Sequence, residues 1–440
     1  MTARADSGRS EVSGSELRNS IVFPEVPGAT QTVRLIPFLV GFYFSFRAIV
    51  VLVAVRVFVL EPRVGVALDL LSEFALLLLA AFQAAGPFVR SAKSLRRQTS
   101  FRWVVVFLLY SGCSLAWSGT VSLSASFLYW CGLAADVVLV YAILLVYPAV
   151  EVAHSLMRGF VCATSVLAFV AWMMPVGADL RLGDSEYFNT NQIGNLCAFA
   201  VFLAQYLASR KDGQWKPAII FLILTLVRSL SKTTLVAFLV SEGFFLLLNR
   251  SMSRKAKMSI VGGGALVVLV FWGLFESYYD VYTSAGNQAQ TLTGRVAIWS
   301  YSLQASLEKP WFGNGFDAMW RVFPPFGNEQ FEARHAENEL LQQFFAYGVV
   351  GVGLLCGLYG SVCRSLRRLP LGTSRTLLAS LMLFVLIRGC AEAEPFDLLF
   401  PLWAITMFSA IVAEIRVPKS QTSSNRVSGT VWQSAGRVPS

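Results

Sequence analysis

The sequence predicts an all-α, polytopic integral membrane protein of about twelve transmembrane helices, with one large outer loop between helices 9 and 10. Three observations predict it. Composition is the first: 55% of the 440 residues are hydrophobic and 14% are charged, with a mean hydropathy of +0.59, whereas roughly a quarter of the residues in a soluble domain are charged. The second is the recurrence of apolar runs near the ~20 residues a helix needs to cross a bilayer. The third is charge, because basic residues fall in short clusters on alternate sides of these runs, the pattern that orients spans.

Taken in order, the candidate spans cover 35–60, 64–86, 103–118, 125–148, 159–175, 191–209, 217–229, 232–248, 258–275, 338–360, 376–389 and 397–414. The first carries Arg47 and Arg56, and Asp69 and Glu73 stand four apart in the second. These carboxylates share one helix face and are expected to pair with Arg47 or Arg56 as structural ions. The spans 217–229 and 232–248 also read as one long broken helix. One side receives Arg90, Lys93, Arg96 and Arg97, then Arg158, Arg210, Lys211, Lys216, Arg250, Arg254, Lys255, Lys257, and finally Arg364, Arg367, Arg368 and Arg375. The other side receives Asp179, Asp184, Glu186, the loop 276–337, Glu392, Glu394 and Asp397. Both termini are then cytoplasmic. Residues 1–34 and 419–440, polar and rich in Ser, are expected to be disordered tails around a transmembrane domain of 35–418. The apolar run after the N-terminal tail is too long and too interrupted by arginine for a cleaved signal peptide.

Several function classes are excluded on this basis. The net charge of +10 comes from orienting clusters rather than from a basic face, so nucleic-acid binding is not expected. Seven cysteines, without a CxxC pair and mostly inside apolar runs, read as small packing residues. Two histidines cannot build a multi-histidine metal site, and no acidic cluster has the spacing of a hard-cation loop. No metal and no cofactor are expected, and neither a Walker nor a dinucleotide glycine pattern occurs.

The remaining charges at the outer face need a reason, since an ionisable group in a span costs about 2.5–3.5 kcal/mol on insertion scales. Arg228 and Lys232 lie four apart in LTLVRSLSKTTLVAF. On a continuous helix they would share a face and repel, which invites an anion such as a phosphate between them; the alternative is that both snorkel to the interface. Arg388 and Glu392 in LIRGCAEAEPF have helical spacing and read either as a salt bridge or as pocket residues. Arg295 follows Thr293-Gly294, where a guanidinium can chelate phosphate oxygens; an ordinary surface arginine is the alternative. His335 and Glu337 close the loop ahead of the tenth span. They suit a proton acceptor for a hydroxyl, or an acidic helix start with Asn338 as its cap. Trp299, Trp311, Phe312, Phe316, Trp320 and Phe323 suit sugar stacking or the lipid interface.

At these residues the chain resembles the O-antigen ligase and polymerase family of bacterial membrane glycosyltransferases, including polymerases of exopolysaccharides. FNTNQIGNLCAFAVF at Phe188 to Phe202 is similar to the family's Asn-rich helix entry, and SLSKTTLVAF at Ser229 to Phe238 to its Ser-Arg/Lys-Thr helix start. TGRVAIW with EKPWFGNGF resembles its Gly-Arg, Trp and Pro-x-x-Gly-x-Gly loop. ENELLQQFFAYGVVGVGLL resembles its His-Asn-x-x-Leu motif, and RGCAEAE at Arg388 to Glu394 resembles the exopolysaccharide branch. The likeness covers about residues 185–400. One departure is that Glu337 occupies the histidine column of His-Asn-x-x-Leu, while His335 lies two residues upstream, at the first histidine of the His-x-His-Asn branches.

The resemblance implies transfer of a glycan from a polyprenyl diphosphate carrier to an acceptor sugar at the periplasmic face of a bacterial inner membrane, without metal. The loop 276–337 would then be periplasmic. Because that face has no nucleotide supply, its donor must arrive already activated. Arg295 and Lys232, with Arg228, would hold the diphosphate. His335 with Glu337 would take the hydroxyl proton, with Arg388, Glu392 and Asn338 shaping the pocket. Polymerisation of exopolysaccharide or O-antigen, ligation to the lipid A core, and transport of a lipid-linked glycan or anion are the alternatives. The expected partners are the lipid-linked oligosaccharide, the acceptor glycan, membrane lipid, and a chain-length regulator or flippase.

Overall fold

The computed structural model describes residues 33–84, 99–175, 180–183, 188–209, 213–249, 252–284, 292–319, 333, 335–369 and 371–393. The expected tails, except for residues 33 and 34, and the span at 397–414 lie outside the described residues. The long elements are all helices: α1 (Leu35–Arg56), α2 (Pro62–Ala84), α3 (Thr99–Ser114), α4 (Leu123–Val146), α5 (Ala149–Met173), α6 (Thr190–Ser209), α7 (Lys216–Arg228), α8 (Lys232–Leu248), α9 (Arg254–Val270), α10 (Trp272–Ser284), α11 (Leu292–Glu308), α12 (Glu339–Arg367) and α13 (Thr373–Gly389). Eleven of the twelve expected spans are thus helical. Among the described residues, seven helices, α1 to α6 and α12, are long and apolar enough to cross a membrane singly, and α9 with α10, bent by 50°, makes an eighth. Leu71, Leu78, Phe82, Leu109, Phe169, Leu239, Leu247 and Leu269 face outward, the inversion expected where the surrounding solvent is lipid.

Between helices in lipid, close fit and polar contacts replace the hydrophobic drive. Glycine supplies the fit where α1 crosses α5. A Cβ on Gly41 would stand 2.1 Å from the Leu156 carbonyl oxygen, and one on Gly159 2.0 Å from that of Phe38. Beside this crossing Ser45 and Thr164 share a hydrogen bond of 2.8 Å. Arg47 pairs with Asp136 of α4 at 2.9 Å, and the Tyr43 hydroxyl donates to Asp69 at 2.9 Å. The expected pairing of Arg47 with Asp69 or Glu73 is therefore corrected. Asp136, from a third helix, takes the direct contact, while Asp69 and Glu73 act on Arg47 through their charge.

The centre of the molecule is α6, 78% of whose spanning window is buried. It packs against α5, α7, α8 and α13. Phe160 of α5 meets Phe199 edge-on at 5.6 Å, and Phe202 lies 5.5 Å from Phe238 of α8 and 5.7 Å from Phe384 of α13. Because α6, α8 and α12 begin, and α7 and α13 end, at the same end of the bundle, these packing contacts gather five helix termini. The candidate site lies there.

Candidate active site

A break in the chain sets Lys232. Between α7 and α8, Leu230 has φ +57, so the two helices are not one continuous rod. Arg228 and Lys232 consequently do not share a helix face, which overturns the geometry expected from their spacing. Arg228 Nη1 instead donates to the Leu180 carbonyl at 2.7 Å. Lys232, the first residue of α8, lies 5.3 Å from the centre of the Tyr278 ring of α10.

Asn191, in the first turn of α6, joins three elements at this point. Its Oδ1 accepts from Ser231 at 3.0 Å and from Arg181 Nη2 at 3.2 Å. Its Nδ2 donates to Glu392 Oε1 at 3.2 Å. Arg181 lies 6.0 Å from the same Tyr278 ring that Lys232 touches. Lys232 is in the electrostatic field of both Arg181 and Arg295.

Arg295, on the first turn of α11, is the hub. Its Nη1 donates to Thr233 of α8 at 3.1 Å. Its Nη2 reaches Glu392 Oε2 at 3.3 Å and Glu337 Oε2 at 3.5 Å. Glu392 lies beyond the end of α13 at Gly389 and also reaches α11 through Arg295. Arg388 remains buried nearby and acts on Glu392 through its charge. Burial, reinforced by the neighbouring Glu337 charge, pushes the Glu392 carboxyl up to about 7 against the pull of Arg388, His335 and Arg295.

His335 Nδ1 stands 3.7 Å from Glu337 Oε1, an ion-pair distance longer than a hydrogen bond. Glu337 adopts φ +50, a conformation non-glycine residues take up at a cost and that often marks a functional site. Its surroundings hold it there. Trp299 Nε1 donates to its carbonyl at 3.3 Å, and the Ala336 amide donates to Gln342 Oε1 at 2.6 Å. Asn338 caps α12 as expected, accepting from the Leu341 amide at 3.0 Å, and it also donates to the Cys390 carbonyl at 2.8 Å. The cap therefore ties the ends of α12 and α13 together.

The Pro310-Trp-Phe-Gly-Asn-Gly315 segment has a structural duty that its sequence does not announce. α12 is broken at Gly348, φ +64, which withdraws backbone groups from the helix ladder. The loop supplies them with partners. Asn314 and Gly315 amides donate to the Phe345 and Ala346 carbonyls at 2.9 and 2.8 Å, and the Val349 amide donates to the Pro310 carbonyl at 2.8 Å. The approach is so close that a Cβ on Gly313 would lie 2.5 Å from the Ala346 carbonyl. Of the aromatic residues, Trp311 and Phe312 are exposed and Phe316 is fully buried; Trp320 and Phe323 lie outside the described residues.

The structure thus brings together Arg295, Glu337, His335, Glu392, Lys232, Asn338 and Arg388, and leaves Arg228 one turn removed on a backbone carbonyl. Sequence reasoning missed Arg181, Asn191, Tyr278 and Thr233. Asn191 had a signal, since it lies in the Asn-rich FNTNQIGN entry; Arg181 had none beyond its charge.

Fold and site define a multi-pass helical membrane protein that gathers several cations and a histidine–carboxylate pair where its helix ends meet. Residues 217–356 match the family model described as O-antigen ligase. The chain is also 23% identical over 291 residues to the exopolysaccharide production protein ExoQ of Rhizobium meliloti (strain 1021), over 60% of this chain and 64% of that relative. It therefore spans less than two thirds of that relative's length. Together these matches support an O-antigen ligase/polymerase-like family for the chain, the likeness its motifs imply. The matched segment runs from α7 into α12 and contains Arg228, Lys232, Arg295, His335, Glu337 and Asn338.

Proposed function

We propose that the protein is a membrane glycosyltransferase that moves a glycan from a polyprenyl diphosphate carrier to an acceptor sugar, elongating an exopolysaccharide or O-antigen. The observation that carries this reading is Arg295, reached by Glu337 and Glu392 and within the field of Lys232. Cations held this closely repel one another, and a diphosphate relieves them.

In the reaction the acceptor hydroxyl oxygen attacks the anomeric carbon of the donor. The bond from that carbon to the diphosphate oxygen breaks, and the electron pair leaves with the polyprenyl diphosphate. Arg295 and Lys232 stabilise the charge that develops on this leaving group. The hydroxyl proton goes to His335 at Nε2, since Nδ1 faces Glu337, whose carboxylate orients the ring and stabilises the imidazolium. Glu392, Arg388, Asn338 and Arg228 form the frame of the pocket. The site faces the periplasm, the termini lie in the cytoplasm, and the lipid-linked oligosaccharide, the acceptor glycan and a chain-length regulator or flippase are the partners.

The relative is named for exopolysaccharide production, which favours polymerisation over ligation to the lipid A core. Purified protein in lipid nanodiscs is expected to release free polyprenyl diphosphate from lipid-linked oligosaccharide as longer glycan forms. Movement of the lipid across the bilayer without release would make the protein a transporter. A deletion strain is expected to lose soluble polysaccharide and keep decorated lipopolysaccharide; the reverse phenotype would make it a ligase.

A further inference from the structure

We infer that Arg181, a residue outside the matched segment, is a third phosphate-binding cation of the site, and that Arg228 is a positioning residue that delivers it there. The inference rests on the diphosphate reading above. Arg181 and Lys232 approach one aromatic ring, at 6.0 and 5.3 Å from its centre, and Arg181 acts electrostatically on Lys232. Two cations beside a single ring share its limited attraction, and with Arg295 they bring three positive charges to one region. Glu337 and Glu392 offset part of that charge at Arg295, and a single phosphate offers few oxygens to reach all three cations. Two linked phosphates carry more, and offer oxygens to each cation.

Arg181 is held as a binding group needs to be. Its Nη2 donates to Asn191 Oδ1, and Asn191 spans onward to Ser231, beside Lys232, and to Glu392, beside Arg295. Asn191 thereby sets the spacing among all three cations. The backbone ahead of Arg181 is unusual. Leu180 has φ +61, which a leucine adopts only when its surroundings enforce it. Arg228 Nη1 grips the Leu180 carbonyl at 2.7 Å, a charge-assisted bond suited to fixing that turn. Arg228 therefore acts through Arg181 rather than on the ligand.

The test uses the full-length protein in nanodiscs, titrated with farnesyl diphosphate and farnesyl monophosphate, and reads the ratio of the two Kd values. Wild-type protein is expected to prefer the diphosphate. Arg181→Gln lowers that preference roughly tenfold or more, the weight of one charge-assisted hydrogen bond, by weakening the diphosphate selectively, and Arg181→Lys restores most of it. Arg228→Gln keeps the Arg181 charge but frees its turn, and lowers the ratio in the same direction. A merely structural role weakens both ligands alike and leaves the ratio unchanged. An unchanged ratio in both glutamine variants overturns the inference and leaves the proposed transferase standing. Wild-type protein with no preference for the diphosphate overturns the diphosphate reading itself.

Discussion

Arg295 is held between two carboxylates that, on the proposed reading, a phosphate must outcompete, and the difference between them decides how that exchange would proceed. Glu337 is partly exposed, whereas Glu392 is 5% exposed with its carboxyl raised to about 7. Near neutral pH a share of Glu392 is therefore protonated, which lessens its repulsion of an incoming phosphate and its hold on Arg295. The same shift predicts a stability profile. The folded protein binds this proton more tightly than the unfolded chain, whose carboxyl titrates near its ordinary value of 4.5. Stability should thus fall as pH rises from about 4.5 to about 7, and then level off. Thermal unfolding of Glu392→Gln protein is expected to lack that decline; an identical slope in wild type and variant would refute the assignment. Arg295→Ala should reduce glycan transfer by roughly 100- to 1,000-fold, the usual loss on removing a donor to developing negative charge, with membrane protein level unchanged. Retained turnover would remove Arg295 from the mechanism. Sequence had indicated Arg295, Glu337 and Glu392 separately, but the contacts between them span 42 and 97 positions, and no local spacing encodes them.

The elements show where reading from sequence stops, and physics explains why. α1 to α6 were legible because an apolar run of sufficient length has few alternatives to a helix in lipid. The break at Leu230 also falls where the expected spans 217–229 and 232–248 part, but the kink at Gly348 was not legible. Hydropathy continues unchanged through YGVVGVGLL, and a kink depends on whether distant groups can satisfy the backbone it frees. Here Pro310 to Gly315 does so, which gives the Gly313-Asn-Gly315 pattern a scaffolding reason beside any catalytic one. Gly348→Ala forces a side chain into a left-handed conformation, with its Cβ 2.4 Å from the Trp311 carbonyl carbon. The expected cost is about 1–3 kcal/mol for the backbone strain, with more from the clash, read as a lowered unfolding temperature in detergent. Because α12 begins beside Glu337 and Asn338, its loss of shape should also lower transfer. Gly353→Ala, where a Cβ meets nothing within 4 Å, is the control expected to leave both unchanged.

For the whole molecule, the arrangement of charge and the position of the site make one connected claim. The clusters at Arg254 to Lys257 and at Arg364 to Arg368 lie at the ends of helices opposite to the site, and such clusters stay in the cytoplasm. The site should then face outward, where nucleotide sugars are absent and a lipid diphosphate is a suitable activated donor. Single-cysteine variants at Glu308, exposed at the end of α11, and at Arg364, exposed in α12, test this in a background lacking the native cysteines. In intact spheroplasts a membrane-impermeant maleimide is expected to label Glu308→Cys and to spare Arg364→Cys, with both labelled after lysis. The reverse pattern would turn the cation cluster toward the cytoplasm. Nucleotide-activated sugars would then be available to the site, and the physical reason for a polyprenyl diphosphate donor would disappear even if every contact around Arg295 stood as described.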